Sequence, residues 1–194
     1  MDERPFLELS DLLIHGRQHV GPKNLAEPAP SEAELRELFA AAAAAPDHGQ
    51  LRPWRFLVLG PQARERLGQC FADALLERDP QAQPEQIEDA RRKAARGALL
   101  LLAIADLRAD DPDVAETERL VSLGCAIQNL LLAARARGYA SGLSSGRALR
   151  SQRLREAFGV SDGEHAVCFI TLGTPTRVKP RRQRPAVDDF VQWL

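Results

Sequence analysis

The sequence predicts a mixed fold of helices and strands, α/β in the order of its elements and open to an α+β packing. Three observations carry that reading. Helical segments outnumber strands and separate them along the chain. Ala98 to Ala105 is an unbroken apolar run, the pattern of a strand covered on both faces. Val114 to Arg137 is a long segment with apolar residues at helical spacing.

Leu7 to Gly16 reads as a short amphipathic helix, with Leu9, Leu12 and Leu13 on one stripe. Gly21 and Pro22 break the polar stretch that follows. Pro28 and Pro30 then hold the chain extended. Ser31 with Glu34 forms a capping box, so a helix starts there. Leu35, Leu38 and Phe39 give its core face, and the run Ala40 to Ala45 continues it until Pro46. Asp47 to Pro53 is a loop and Arg55 to Leu59 a strand. Gln62 to Arg78 is helical, with Leu67, Cys70, Phe71, Ala74 and Leu75 on one side. Pro84 to Arg96 is a second, highly charged and solvent-facing helix.

Ala98 to Ala105 is expected to be central in a sheet, and Asp110 to Pro112 a turn. The long helix carries Leu123, Ile127, Leu130, Leu131 and Ala134 with few charges, which suits a central helix or one at a subunit interface. Tyr139 to Gly146 is a Gly/Ser loop, Ser151 to Phe158 a short helix and Ala166 to Leu172 a third strand. The tail from Val187 to Leu194 ends in Phe190, Trp193 and Leu194, an apolar terminus in want of a partner surface.

Composition excludes several classes. The chain has 194 residues, with 26 Lys plus Arg against 27 Asp plus Glu. That balance argues against a general nucleic-acid binder. The length suits one domain, 1–194. With 44% hydrophobic and 27% charged residues, disorder is not the dominant state. The longest apolar run falls far short of the ~20 residues of a membrane helix, so no membrane partner is expected. Cys70, Cys125 and Cys168 are widely spaced and make no CxxC pair. With no secretory leader at the first residues, they point to the cytoplasm. No Cys/His cluster has metal-ligand spacing.

Four segments could carry chemistry. Gly142-Leu143-Ser144-Ser145-Gly146 fits G-x-S-x-G, but a nucleophile elbow needs a strand before its serine and a helix after it. A plain Gly/Ser loop is the simpler reading. Ala45 to Trp54 lies between an Ala-rich helix and a strand, where loops line pockets. There His48 can donate and accept, Gln50 offers an amide, and Gly49 permits close approach. The alternative is an ordinary helix stop and turn. Gly16-Arg17-Gln18-His19 ends the first helix, and Arg17 could grip a phosphate bidentately or simply sit in solvent. The basic stretch Arg177, Lys179, Arg181, Arg182 and Arg184 could do either as well.

Taken together and in order, these segments resemble the nitroreductase family of flavoproteins, most closely its small single-domain bacterial members. The resemblance rests on Arg17-Gln18-His19, Leu25-Ala26-Glu27-Pro28-Ala29-Pro30, Ala45-Pro46-Asp47-His48 and Pro53-Trp54. It continues through Gly124-Cys125-Ala126, Arg155-Glu156-Ala157-Phe158-Gly159 and Leu172-Gly173-Thr174-Pro175, so it spans nearly the whole chain. It implies an α+β nitroreductase-like fold with a central mixed sheet flanked by helices. It also implies a homodimer with FMN at the subunit interface, and NADH or NADPH as hydride donor. The small-molecule electron acceptor would be a nitroaromatic, quinone or similar compound. The cofactor carries such chemistry while protein groups orient and tune it.

Carried over by position, Arg17, Gln18 and His19 match the residues holding the FMN phosphate and ribityl end. His48 matches a histidine that touches the flavin, and Gln50 a nearby amide. Leu143, Ser144 and Ser145 match a loop that closes over the cofactor. Gln18, Leu143, Ser144 and Ala44 stand where the family pattern has arginine or tryptophan. Arg181, after the last core strand, is the candidate replacement cation. Those departures keep a second reading open, a catalytically degenerate protein of the same fold that binds flavin or another ligand.

Overall fold

The computed structural model describes residues 4–108, 111, 113–177, 180 and 183–194. Its helices are α1 Arg4–Gly16, α2 Glu32–Ala43, α3 Pro61–Arg78, α4 Pro84–Arg92, α5 Glu116–Ala136 and α6 Gln152–Phe158. Its strands are β1 Leu25–Ala26, β2 Trp54–Val58, β3 Leu99–Asp106, β4 Ala140–Ser144 and β5 Glu164–Pro175.

The sheet order is β1-β5-β3-β2, with β4 also paired to β5. All these strand pairs are antiparallel, and a parallel bridge joins His19 to Ser141. Packing therefore settles the class as α+β, although helices and strands alternate along the chain. The apolar run forms the inner strand as expected: Leu101 pairs with Val58 on one side and Ile170 on the other. Alternate side chains feed two cores. Leu101, Ala103 and Ala105 join α2 and α5 on one face, while Leu100, Leu102 and Ile104 join α3 and α6 on the other. A strand buried on both faces needs no polar alternation, which is why the sequence shows none.

The capping box forms as read. Ser31 N donates to Glu34 Oε2 at 2.8 Å, and Glu34 N donates to Ser31 Oγ at 3.3 Å. Helix α4 stops at Arg92 and a 3-10 turn, Lys93–Ala95, completes the charged segment. Helix α5 buries Leu123, Ala126, Ile127, Leu130, Leu131 and Ala134, but leaves Leu120 and Val121 exposed within the chain. No residue of α1 is buried, and Phe6, Leu7, Leu9 and Leu12 all stand exposed.

One expectation fails. Tyr139 to Gly146 is not simply a loop, because its centre is β4, paired residue by residue with β5 from Ala140↔Gly173 to Ser144↔Phe169. Gly and Ser are poor strand formers, and here the partner strand overrides local preference. The expected turn at Asp110 to Pro112 falls largely outside the described residues, as do Lys179, Arg181 and Arg182 of the basic stretch. No helix is long and apolar enough to cross a membrane, and no group of potential metal ligands occurs, among the described residues.

Candidate functional site

Helix α1 delivers Arg17 to a cationic corner. A Cβ at Gly16 would lie 3.6 Å from Arg135 Nη2, near the end of α5. Arg184 Nη2 donates to the Arg17 carbonyl at 3.0 Å. Burial first, and the Arg184 charge second, lower the pKa of Arg17, yet a guanidinium stays charged. Its Nε is buried with no hydrogen-bond partner among the described residues. A buried donor left unpaired costs about 1–3 kcal/mol. Arg181 lies outside the described residues, and Arg184, three positions on, is a cation the structure places beside Arg17.

Gln18 and His19 lead on to β4. Val20 N donates to Ser141 O at 2.9 Å, alongside the His19–Ser141 bridge. A Cβ on Gly142 would sit 2.1 Å from the Val20 carbonyl oxygen, so only glycine allows this approach. The structure thus joins two of the patches read from sequence, Arg17 to His19 and the Leu143 to Ser145 segment.

Ser144 and Ser145 line a cavity of about 560 Å³, with Gly21 to Asn24, the continuation of the Arg17 segment, on its wall. Phe71, Leu75, Leu100, Leu149 and Phe169 give it apolar surface. Phe71 and Phe169 meet edge to face with ring centres 5.8 Å apart. Lys23, Arg78, Lys93, Arg96 and Arg147 supply its charge. Thr171, fully buried, also lines it, and its Oγ1 has no partner among the described residues. An apolar slot with cations and one unpaired hydroxyl suits a flat, anionic ligand. Sequence reasoning missed these cations, which come from four separate segments. Phe71, Ala74 and Leu75 were read on one side of their helix, and Arg78 only as its end. Leu143 is half-exposed and does not line this cavity.

His48 and Gln50 lie elsewhere. They form a 3-10 turn with Gly49 at φ 68°, and Gln50 itself has φ 53°. His48 Nδ1 is 2.8 Å from Glu118 Oε2, at the start of α5. Glu118 by hydrogen bond, then by charge, raises the His48 pKa, with Asp111 and Asp113 adding to it. Glu118 and Arg135 are separated by about 25 Å of helix at 1.5 Å per residue. One chain alone does not bring His48 to the Arg17 corner.

The hydrolase alternative fails on geometry. A strand does precede Ser144, but Ser144 pairs with Phe169 while His165 pairs with Ala105. Four strand residues separate His165 from Phe169, roughly 13 Å. A 3-10 turn at Arg147–Arg150, not a helix, follows the serine.

Comparison with known proteins agrees with this geometry. The family model described as "Nitroreductase family" matches residues 23–174. The Haemophilus influenzae protein named "Putative NAD(P)H nitroreductase" is 33% identical over 177 residues, covering 89% of this chain and 93% of its own. The Escherichia coli K12 protein named "Putative NAD(P)H nitroreductase YdjA" is 33% identical over 169 residues, covering 87% and 89%. Among solved structures, a nitroreductase-like family protein from Bacillus cereus superposes with a TM-score of 0.79 at 17% identity, covering 96% of this chain and 95% of its own. The FMN-dependent nitroreductase NfnB from Mycobacterium smegmatis, solved in complex with NADPH, gives 0.72 at 17% identity, covering 97% and 99%. With a family match over residues 23–174 and a relative 33% identical over 177 residues, this chain belongs to the nitroreductase family.

Proposed function

We propose that this chain is an FMN-dependent NAD(P)H oxidoreductase that uses NADH or NADPH to reduce a nitroaromatic, quinone or similar acceptor. The buried Nε of Arg17, without a partner among the described residues and with Arg184 beside it, is the observation that carries the reading. It supplies an anion site where the family pattern calls for one. Relatives named as NAD(P)H nitroreductases, and a fold neighbour described as FMN-dependent, support it.

The residues present fit the cofactor. Arg17, Gln18 and His19 would hold the phosphate and ribityl end, with Arg184, and Arg181 as a further candidate, in support. Ser144 and Ser145, with Leu143 before them, would close over the ring. The lost family arginines are offset by cations from other segments. Bound FMN supplies the two-electron redox chemistry that no side chain here supplies. The protein's part is to orient the ring, shield it from water and hold charge near it.

His48 and Gln50 belong to this site only if a second copy brings them. The distance along α5 supports a homodimer in which His48 of the partner subunit approaches the cavity. Exposed Phe6, Leu7, Leu9 and Leu12 on α1, and Phe190, Trp193 and Leu194 in the tail, are the apolar surface such a dimer would cover. The two cores lie on opposite faces of one sheet, which fits a single domain. Three free thiols fit a reducing compartment, and we read the protein as cytoplasmic.

The test is a visible absorbance spectrum after adding FMN and desalting. A retained flavin spectrum, bleached by NAD(P)H without air, is expected, and Arg17→Ala should weaken retention. A protein that keeps no flavin would favour the catalytically degenerate reading.

A further inference from the structure

Every charged residue lining the cavity beside Ser144 and Ser145 is basic: Lys23, Arg78, Lys93, Arg96 and Arg147. The chain as a whole is balanced, 26 basic to 27 acidic, so this single sign is a property of the site and not of the composition. Four of these five cations fall into two groups. Lys23 follows the Arg17 segment, and Arg147 follows β4. Arg78 ends α3 and Lys93 opens the 3-10 turn after α4, so both belong to the helical cover of the cavity. A cofactor phosphate held at Arg17 and Arg184 leaves Arg78 and Lys93 without a task. Both are exposed, and no carboxylate partners either one among the described residues.

Charges of one sign around a low-dielectric cleft focus the field and draw in an oppositely charged ligand. A guanidinium at its mouth binds carboxylate or phosphate oxygens bidentately. The aromatic pair Phe71 and Phe169 offers surface for a flat body.

We propose that a flat ligand of this cavity other than the flavin carries an anionic group, carboxylate or phosphate, and that Arg78 and Lys93 bind it. The proposal extends the oxidoreductase reading by defining the substrate class, and its binding step does not depend on that reading. The anion could be the carboxylate of an acidic aromatic acceptor or a phosphate of the nicotinamide dinucleotide.

Calorimetric titration separates these cases. 4-Nitrobenzoate, nitrobenzene and NADP+ are each titrated into oxidised protein, with and without FMN, so no turnover occurs. Binding of at least one anion should weaken by about tenfold in Arg78→Ala and in Lys93→Ala, with nitrobenzene unchanged and Arg78→Lys retaining part of the affinity. A loss confined to 4-nitrobenzoate identifies the acceptor as the anion, and one confined to NADP+ identifies the dinucleotide. If neither anion loses affinity in either variant, the proposal is overturned. A flavin spectrum with no anion preference would sink this inference and leave the oxidoreductase reading standing. Anion binding in a protein that retains no flavin would do the reverse.

Discussion

Arg55 and Glu164 form a two-pronged ion pair across the sheet, from β2 to the start of β5. Arg55 Nε lies 2.7 Å from Glu164 Oε1, and Arg55 Nη2 lies 2.8 Å from Oε2. The carboxylate also accepts from Ser161 N at 2.8 Å, and Arg55 Nη2 donates to the Gly159 carbonyl at 2.6 Å. One pair thus ties the turn after α6 to the far edge of the sheet.

Glu164→Gln should destabilise the protein by about 1–3 kcal/mol, read from the midpoint of urea unfolding. Arg55 is partly exposed, which favours the lower end. The Arg55 hydrogen bond is the main cause holding the Glu164 carboxyl below its usual range. Its contribution is therefore present above the ordinary carboxylate value and fades as pH falls through the lowered one. Wild type should lose stability on acidification more steeply than Glu164→Gln, and parallel curves would refute the assignment.

The His48–Glu118 pair has the opposite sign. Glu118 raises the imidazole pKa, so the pair's stabilisation is full below the ordinary histidine value and is lost as pH rises through the raised one. Glu118→Gln should lower the His48 titration midpoint, followed by NMR of the ring protons. Glu118→Asp should restore part of the shift. A midpoint that stays put in Glu118→Gln would mean the contact does not form in solution.

Thr171→Val removes a buried hydroxyl that has no partner among the described residues. Unliganded protein should be equally stable or more stable, because an unsatisfied polar atom disappears at nearly constant shape. A large loss of stability in the flavin-free protein would show that the hydroxyl is already satisfied.

Gly142→Ala places a methyl group where the Val20 carbonyl stands. Overpacking of this kind costs roughly 1–3 kcal/mol. Here it should also part β4 from the Arg17 to Val20 segment, so flavin retention should fall with stability. Gly60→Ala, away from the cavity, is the control, since a Cβ there meets nothing within 4 Å.

Much of the fold follows from short-range chemistry. The Ala98 to Ala105 run had to be an inner strand, because eight apolar residues with no polar alternation have no exposed face. Ser31 and Glu34 started α2 through bonds between residues three apart. Pro46 marked a boundary because proline lacks an amide hydrogen. Arg17, Gln18, His19, Ser144 and Ser145 were legible as a set only through the ordered resemblance, since each alone reads as loop or solvated helix end.

The tertiary structure decided what depends on distant partners. Whether alternating helices and strands gave a parallel or an antiparallel sheet was not encoded locally, and the strand pairings settled it. Strand β4 exists because β5 offers it a register, not because its Gly and Ser residues favour one. The cavity's cations lie far apart in sequence, so no spacing rule could group them. The 25 Å of α5 between Glu118 and Arg135 set His48 apart from Arg17, a separation no motif records. Local bonding fixes which residues start and stop an element, whereas burial and charge at a site are sums over segments that meet only after folding.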